Sequence, residues 1–237
     1  IDFAYRMMWP VGLPDFEASS REALKLDLGE LSVPELKVSF VWDGRDNPVE
    51  ALDGSLLALD AALSPGIGSH SYLSVGGRAR TFISLGNSMA IGLRGQGRWV
   101  FDLAETGLPP ALRLFGGGAF GMRGYGHHAL TSVLNDCQGN ECRPWGVGAL
   151  NLFEAGADFR WLPFRKQVGA NVFVDFAGAS TTANPFEDGV SLALGLGARV
   201  RLWYIPLALD LSYRAIGPDE LDHHSPWLFF ARIGESF

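Results

Sequence analysis

One arginine stands in the middle of a glycine-rich, apolar run, R-L-F-G-G-G-A-F-G-M-R-G-Y-G-H-H over residues 113–128. Five glycines fall between Gly116 and Gly124. Glycine reaches backbone angles closed to other residues, so the run reads as an irregular, tightly folded loop. Leu114, Phe115, Phe120, Met122 and Tyr125 make it too apolar for a solvated linker. A loop that hides Arg123 must supply an anion, because an unpaired buried charge is very costly. Two carboxylates further along have the right placement. Phe173 and Asp175 are i and i+2 in an alternating stretch and therefore share a face, as does Asp158 on the stretch before. A charge-assisted, bidentate grip on Arg123, with Phe173 packed beside it, would pin the loop. Spacing alone leaves a second reading open, a surface arginine on an exposed loop.

Other residue sets carry less chemistry. The glycine run lacks the G-K-[ST] ending and the following helix of a phosphate loop. His127–His128 and Asp222-His223-His224 are adjacent residues, which point to different sides of an extended chain, so neither a metal nor a cofactor is expected. Glu154 and Asp158 could suggest a hydrolytic pair. With Arg160 nearby, structural ion pairing is the expectation. No Ser-His-Asp order stands out, and an enzyme is not expected. Cys137 and Cys142, in D-C-Q-G-N-E-C-R-P, read as a local disulfide in an exported loop, since a metal site would need more ligands than lie nearby. A net charge of −7 argues against nucleic acid as a partner.

The elements that must position these residues are strands. Apolar positions recur with period 2 almost throughout, and no convincing amphipathic helix emerges. Alternating stretches fall at about 1–9, 24–28, 36–43, 57–63, 73–85, 89–102, 153–161, 168–176, 191–203, 207–213 and 227–237. Within 191–203, Leu192, Leu194, Leu196, Ala198, Val200 and Leu202 share one face, and Ser191, Gly195, Gly197, Arg199 and Arg201 the other. Many stretches reach the ~9–11 residues of a membrane-spanning strand, and no run approaches the ~20 apolar residues of a membrane helix. A polar face rich in arginine suits a water-filled lumen. An apolar outer face with aromatics near the strand ends (Trp9, Trp42, Trp99, Trp161, Trp203, Tyr204, Trp227) suits lipid. The expectation is an all-β, transmembrane antiparallel barrel with the 113–149 segment folded into its lumen. A soluble alternative would pack two leucine faces together. Eleven strands read directly imply about twelve, because single-chain bacterial barrels have even strand numbers. The missing strand is expected before Ile1 or between residues 10 and 34. The absence of a leading Met or signal peptide marks the chain as processed or partial.

M-R-G-Y (residues 122–125) after the glycine run resembles the V-R-G-F/Y motif of the BamA/TamA superfamily of outer-membrane assembly and translocation barrels. Three further landmarks follow in the family's order. W-D-G-R-D-N-P resembles its D-T-R-D-N-P turn, L-F-E-A-G-A-D-F-R-W-L-P its L-L-E-G-S-L-E-L-R-Y-P strand, and V-F-V-D-F-A-G its V-F-V-D-A-G strand. The chain also ends in an aromatic strand closing on Phe237. The resemblance implies that Arg123, with Gly124 and Tyr125, sits at the tip of an extracellular loop inside the barrel. There Arg123 would meet Phe173, Asp175 and Asp158. Met122 replaces the usual Val, and Asp158 stands where Glu is usual, one methylene shorter. Family barrels usually have sixteen strands, so the shortfall is expected on the N-terminal side. Residues 1–237 would be one barrel domain, without the periplasmic repeat domains that usually precede it. The implied place is the bacterial outer membrane, and the implied role is insertion or translocation of proteins or lipid through a weak seam between first and last strands. Expected partners are outer-membrane lipids, client outer-membrane proteins and a second copy in a dimer, since an open edge in lipid leaves backbone groups unsatisfied. The alternative is a passive pore or scaffold, with Arg78, Arg94, Arg98, Arg199 and Arg201 favouring anions.

Overall fold

The computed structural model describes residues 2–8, 31–48, 51–138, 141–164, 168–202, 205–218 and 225–233. Ten strands form one antiparallel sheet: β1 (Asp2–Met8), β2 (Leu31–Asp43), β3 (Gly54–Pro65), β4 (Ser71–Ser84) and β5 (Met89–Asp102), then β8 (Asn151–Phe164), β9 (Val168–Ser180), β10 (Ser191–Leu202), β11 (Ile205–Ile216) and β12 (Trp227–Ile233). Each pairs with its neighbour in sequence, except that β5 pairs directly with β8. The connection between those two, residues 103–150, carries a short 3-10 turn (Pro110–Leu112) and a separate hairpin of β6 (Val133–Gln138) and β7 (Glu141–Gly146).

Ten of the eleven alternating stretches are the strands of this sheet. The eleventh, at 24–28, lies outside the described residues, as do Trp9, Trp203, Tyr204, Phe237 and the 222–224 histidine pair. The β6–β7 hairpin is a departure from the expected irregular loop. It is short and polar, and with no face to present to core or lipid it shows no alternation to read.

The two faces of the wall are inverted relative to a soluble protein. The inward face buries Glu154, Asp158, Arg160, Asp175, Arg199 and Asp210. The outward face exposes Leu194, Leu196, Val172, Phe159 and Phe229. Charged side chains are seldom fully buried unless paired, and a contiguous exposed leucine surface marks contact with something other than water. Leucines on the outside meet hydrocarbon at no cost, and charges on the inside meet each other. Trp42 and Trp161 sit near the rim of the short turns, while the Tyr213 and Trp227 rings meet at a tilt, centroids 4.9 Å apart, toward the opposite rim. The structure thus has the two interfacial aromatic bands of an outer-membrane barrel.

The short turn after β2 folds back on itself. Asp43 grips Arg45 through two bonds of 2.7 and 2.8 Å. Asp46 accepts the N–H groups of Leu52 and Asp53. Gly54 sits at φ +94, where an added Cβ would strike the Gly44 carbonyl, so the D-G-R-D-N-P signal also depends on a glycine six residues beyond it.

Candidate functional site

The 103–150 connection turns into the lumen and leaves Arg123 with no exposed surface. Two short bridges shape its entry, Leu114 with Ala149 and Gly116 with Leu130. Gly117 and Gly118, both at positive φ, then let the chain reverse so that Gly118 N–H donates to the Tyr125 carbonyl. The arginine is delivered to the inner faces of β8, β9, β10 and β11.

Asp175 on β9 takes Arg123 side-on. Nε donates to Oδ2 at 2.6 Å and Nη2 to Oδ1 at 2.9 Å. The Arg123 backbone N–H reaches the same carboxylate at 3.2 Å. Phe173, two residues earlier on the same face, lies under the guanidinium with its ring centroid 3.4 Å from Cζ. Cation–π contact strengthens when water is excluded, and Phe173 is buried here. Asp158 on β8 is more distant, 3.4 Å from Nη1. The shorter aspartate side chain reaches the guanidinium only at the edge of hydrogen-bonding range.

Asp210 on β11 also contacts Arg123, at 3.3 Å from Nη1. It was not expected among the partners. Its Oδ1 accepts from Arg199 Nη1 at 2.7 Å, and its Oδ2 accepts from Arg232 on β12. The signal was available: Asp210 is a lone carboxylate between Leu209 and Leu211, on the inward parity of its strand. What the sequence withheld was the curvature of the sheet that brings β11 to the same point as β8 and β9.

Of the two carboxylates expected to ion-pair near Arg160, Asp158 does so, its Oδ1 3.6 Å from Arg160 Nε, whereas Glu154 takes other partners. It is buried and accepts the backbone N–H groups of Gly117 at 2.9 Å and Met122 at 2.8 Å, plus the Gln96 amide. Six residues separate Glu154 from Arg160, about 20 Å along a strand. Arg160 works at the other end of the lumen. It donates to the Ala51 carbonyl of the short turn at 3.1 Å and lies 5.2 Å over the Phe82 ring. Glu154 is therefore a second anchor for the inner loop, holding its backbone where Asp175 holds its side chain.

Arg94 on β5 completes the cage. It pairs with Asp175 at 2.7 Å and donates to the Phe120 and Gly121 carbonyls of the loop. Gly124 passes close to β10, where an added Cβ would lie 2.9 Å from Ala193 Cβ. The Tyr125 hydroxyl meets Ser191 Oγ at 3.0 Å, with Arg214 4.9 Å over the ring. Glycines in the wall make room for these groups. A Cβ on Gly156 would strike Asp175, one on Gly195 would strike Phe173, and one on Gly197 would strike Asp210.

Of the five lumen arginines expected to favour anions, Arg94, Arg98 and Arg199 are each held by an aspartate at 2.7 Å. The register of β6 and β7 sets Cys137 opposite Cys142, and Cys137 is disulfide-bonded. His127 and His128 stack on each other 3.9 Å apart. Among the described residues, no group of three or more His, Cys, Asp or Glu converges as metal ligands would.

The described side chains hold a loop inside a wall; they assemble no nucleophile with a base. The Omp85 superfamily domain matches residues 17–237 of the chain. Among curated proteins no relative matches. Among solved structures, the crystal structure of BamA from Haemophilus ducreyi lacking POTRA domains 1–3 aligns with a TM-score of 0.77 at 13% identity, covering 98% of this chain and 49% of that one. The likeness shows a shared fold, and the chain spans about half the length of that structure.

Proposed function

The chain belongs to the Omp85 superfamily and is a barrel of the bacterial outer membrane, and from that premise we propose that it assists insertion or translocation of outer-membrane proteins or lipid through a seam between β1 and β12. The observation that carries the reading is one-sided bracing. Arg123 joins the inner loop to Asp175, and through Asp210 the same network includes Arg232 on β12. The last strand is thus tied to its neighbour and to the plug. On the other side of the seam, β2 borders open space through Lys37, Ser39 and Val41. A wall stiff on one side and unfilled on the other parts where it is unfilled, and β1 is the strand that yields. A client strand then pairs with the freed edge, because in hydrocarbon an unpaired edge costs several kcal/mol per group.

The same reading gives the chain no catalytic residue; its work is mechanical. The clamp residues Arg123, Phe173, Asp175 and Asp158, with Gly124 and Tyr125 packed behind them, brace the wall. A Cys137–Cys142 bond closes the outer hairpin of the loop. Clients and outer-membrane lipids are the partners, and a second copy meeting the β1 or β12 edge would make a dimer. A passive anion pore is the weaker alternative, since Arg94, Arg98 and Arg199 are already neutralised.

The test is reconstitution. Liposomes containing the chain should speed the folding of an unrelated outer-membrane barrel. An engineered disulfide across β1 and β12 should abolish that gain, and reductant should restore it, with the unmodified chain under the same reductant as control. Undiminished insertion by the locked barrel would end the seam proposal.

A further inference from the structure

Asp158 stands between two arginines that serve opposite rims of the barrel. Arg123 arrives with the inner loop, from the rim of the long connection, and its Nη1 lies 3.4 Å from Asp158 Oδ2. Arg160, one step along β8 toward the rim of the short turns, places its Nε 3.6 Å from Asp158 Oδ1. The same guanidinium holds the turn after β2, its Nη1 donating to the Ala51 carbonyl at 3.1 Å. To meet Arg160 the turn crosses the inner side of β4 and β5, which separate β3 from β8 by about 14 Å of sheet. Phe82 on β4 supports the crossing. It packs against Ala51 and lies under Arg160, its ring centroid 5.2 Å from Cζ. Ala51, Asp158 and Arg160 are each at most 2% exposed, so water is a poor substitute for any of these contacts.

Asp158 closes fully on neither arginine. A charge-assisted N–H···O bond settles at about 2.7–2.9 Å, and Asp175 achieves this with Arg123 while Asp158 does not. Its other neighbours leave it equally poised. Asn171 Nδ2 donates to Oδ2 at 3.1 Å, and Arg199 Nη2 stands 3.8 Å away. The two main cations address different oxygens of a carboxylate on a single methylene. Movement toward one guanidinium is therefore movement away from the other. A buried carboxylate deprived of one cation is costly, and it lowers that cost by closing on the cation that remains. We infer that the inner loop and the short turn compete for Asp158, so that each is held more firmly when the other lets go. The two rims are thereby linked through one side chain, and linkage of this kind acts equally in both directions. The inference needs only the lumen as built; it is independent of whether the seam opens.

Amide hydrogen exchange of the purified chain in maltoside micelles, resolved by mass spectrometry, tests it. In the turn the reporters are the N–H groups of Asp46, Leu52 and Asp53, bonded to the Asp53 carbonyl and to Asp46 Oδ1. In the inner loop they are those of Gly118, Met122 and Tyr125, bonded within the loop or to Glu154. Arg123→Gln yields Asp158 to Arg160, and exchange in the turn should slow about fivefold or more. Arg160→Met yields Asp158 to Arg123, and exchange in the inner loop should slow by a similar factor. Both effects should vanish when the same substitutions are made on Asp158→Asn. A merely structural role predicts the opposite sign, since lost buried contacts accelerate exchange throughout, in β10 and β11 as well. Should one arginine variant fail to fold, the other decides alone. Should neither fold, Arg123→Lys replaces them, because its single ammonium cannot grip Asp175 side-on and reach Asp158 as well. Slowing at the opposite rim that depends on Asp158 supports the inference. Unchanged or faster exchange there in every variant that folds, or slowing that survives Asp158→Asn, overturns it.

Discussion

The two sides of the lumen are built from the same alternating strands and end in opposite states. On β8–β11, Glu154, Asp158, Asp175 and Asp210 are buried and each meets arginine or backbone N–H groups. On β2–β5, Lys37 and Arg78 border open space. Strand periodicity is identical on both sides, so it cannot be the cause. The difference lies in the loop. Where it packs, water is excluded and every carboxylate must be answered. Where it does not, water or a solute can solvate the charge. A barrel can therefore hold a rigid half and a permeable half with no change of fold.

The largest effect should come from removing the carboxylate the rigid half converges on. Asp175→Ala leaves Arg123 and Arg94 without their shared anion and should cost about 3–5 kcal/mol. Urea unfolding of the barrel in lipid vesicles measures it, and a loss under ~1 kcal/mol would mean that the network is not structural. Glycine substitutions should come next. Gly195→Ala drives a methyl group into Phe173 in the packed lumen and should cost about 1–3 kcal/mol. Gly95→Ala, on the outward face of β5 with nothing within 4 Å of its added Cβ, should stay within about 0.5 kcal/mol. Equal costs at the two sites would mean that the lumen around Phe173 is not tightly packed.

In the open half, charge removal should help. Arg80→Gln ends its opposition to Arg94 and should gain about 0.2–1 kcal/mol. A loss there would reveal a partner for Arg80 in the folded barrel. The smallest effect concerns pH. His70, in the short loop between β3 and β4, is 6% exposed, and burial holds its imidazole below its usual pKa, against a smaller opposing pull from Asp102. Protonation therefore favours the unfolded chain. The stability His70 contributes is complete above about pH 6.5 and fades as pH falls through the lower folded value. Unfolding midpoints of the chain and of His70→Gln should converge on acidification, and parallel profiles would exclude the histidine as the source.

Much of the rigid half could be read in advance, for a definable reason. Phe173 and Asp175 are two residues apart in an alternating strand, so their shared face follows from local geometry. Arg123 announced its need for an anion by standing in an apolar, glycine-rich loop. Asp210 is less legible because its contact with Arg123 spans 87 residues and depends on the inward loop and the curved sheet together. Asp158, two residues from Arg160 on the same face, pairs with it, whereas Glu154 finds its partners in the folded loop. Arg94 read as an anion-attracting wall residue because nothing local says that Asp175 on another strand would claim it. Long-range register is what the alternation does not encode; it has to be supplied by the folded sheet.

Coupling between Arg123 and Asp175 tests the account most directly. A double-mutant cycle with Arg123→Ala, Asp175→Ala and the pair together, read as unfolding free energy in lipid vesicles, isolates their interaction. The account predicts a coupling of about 2 kcal/mol or more, within the range for residues in direct contact. Additive single losses, with coupling under ~0.5 kcal/mol, would contradict it, because side chains that do not meet have nothing to couple.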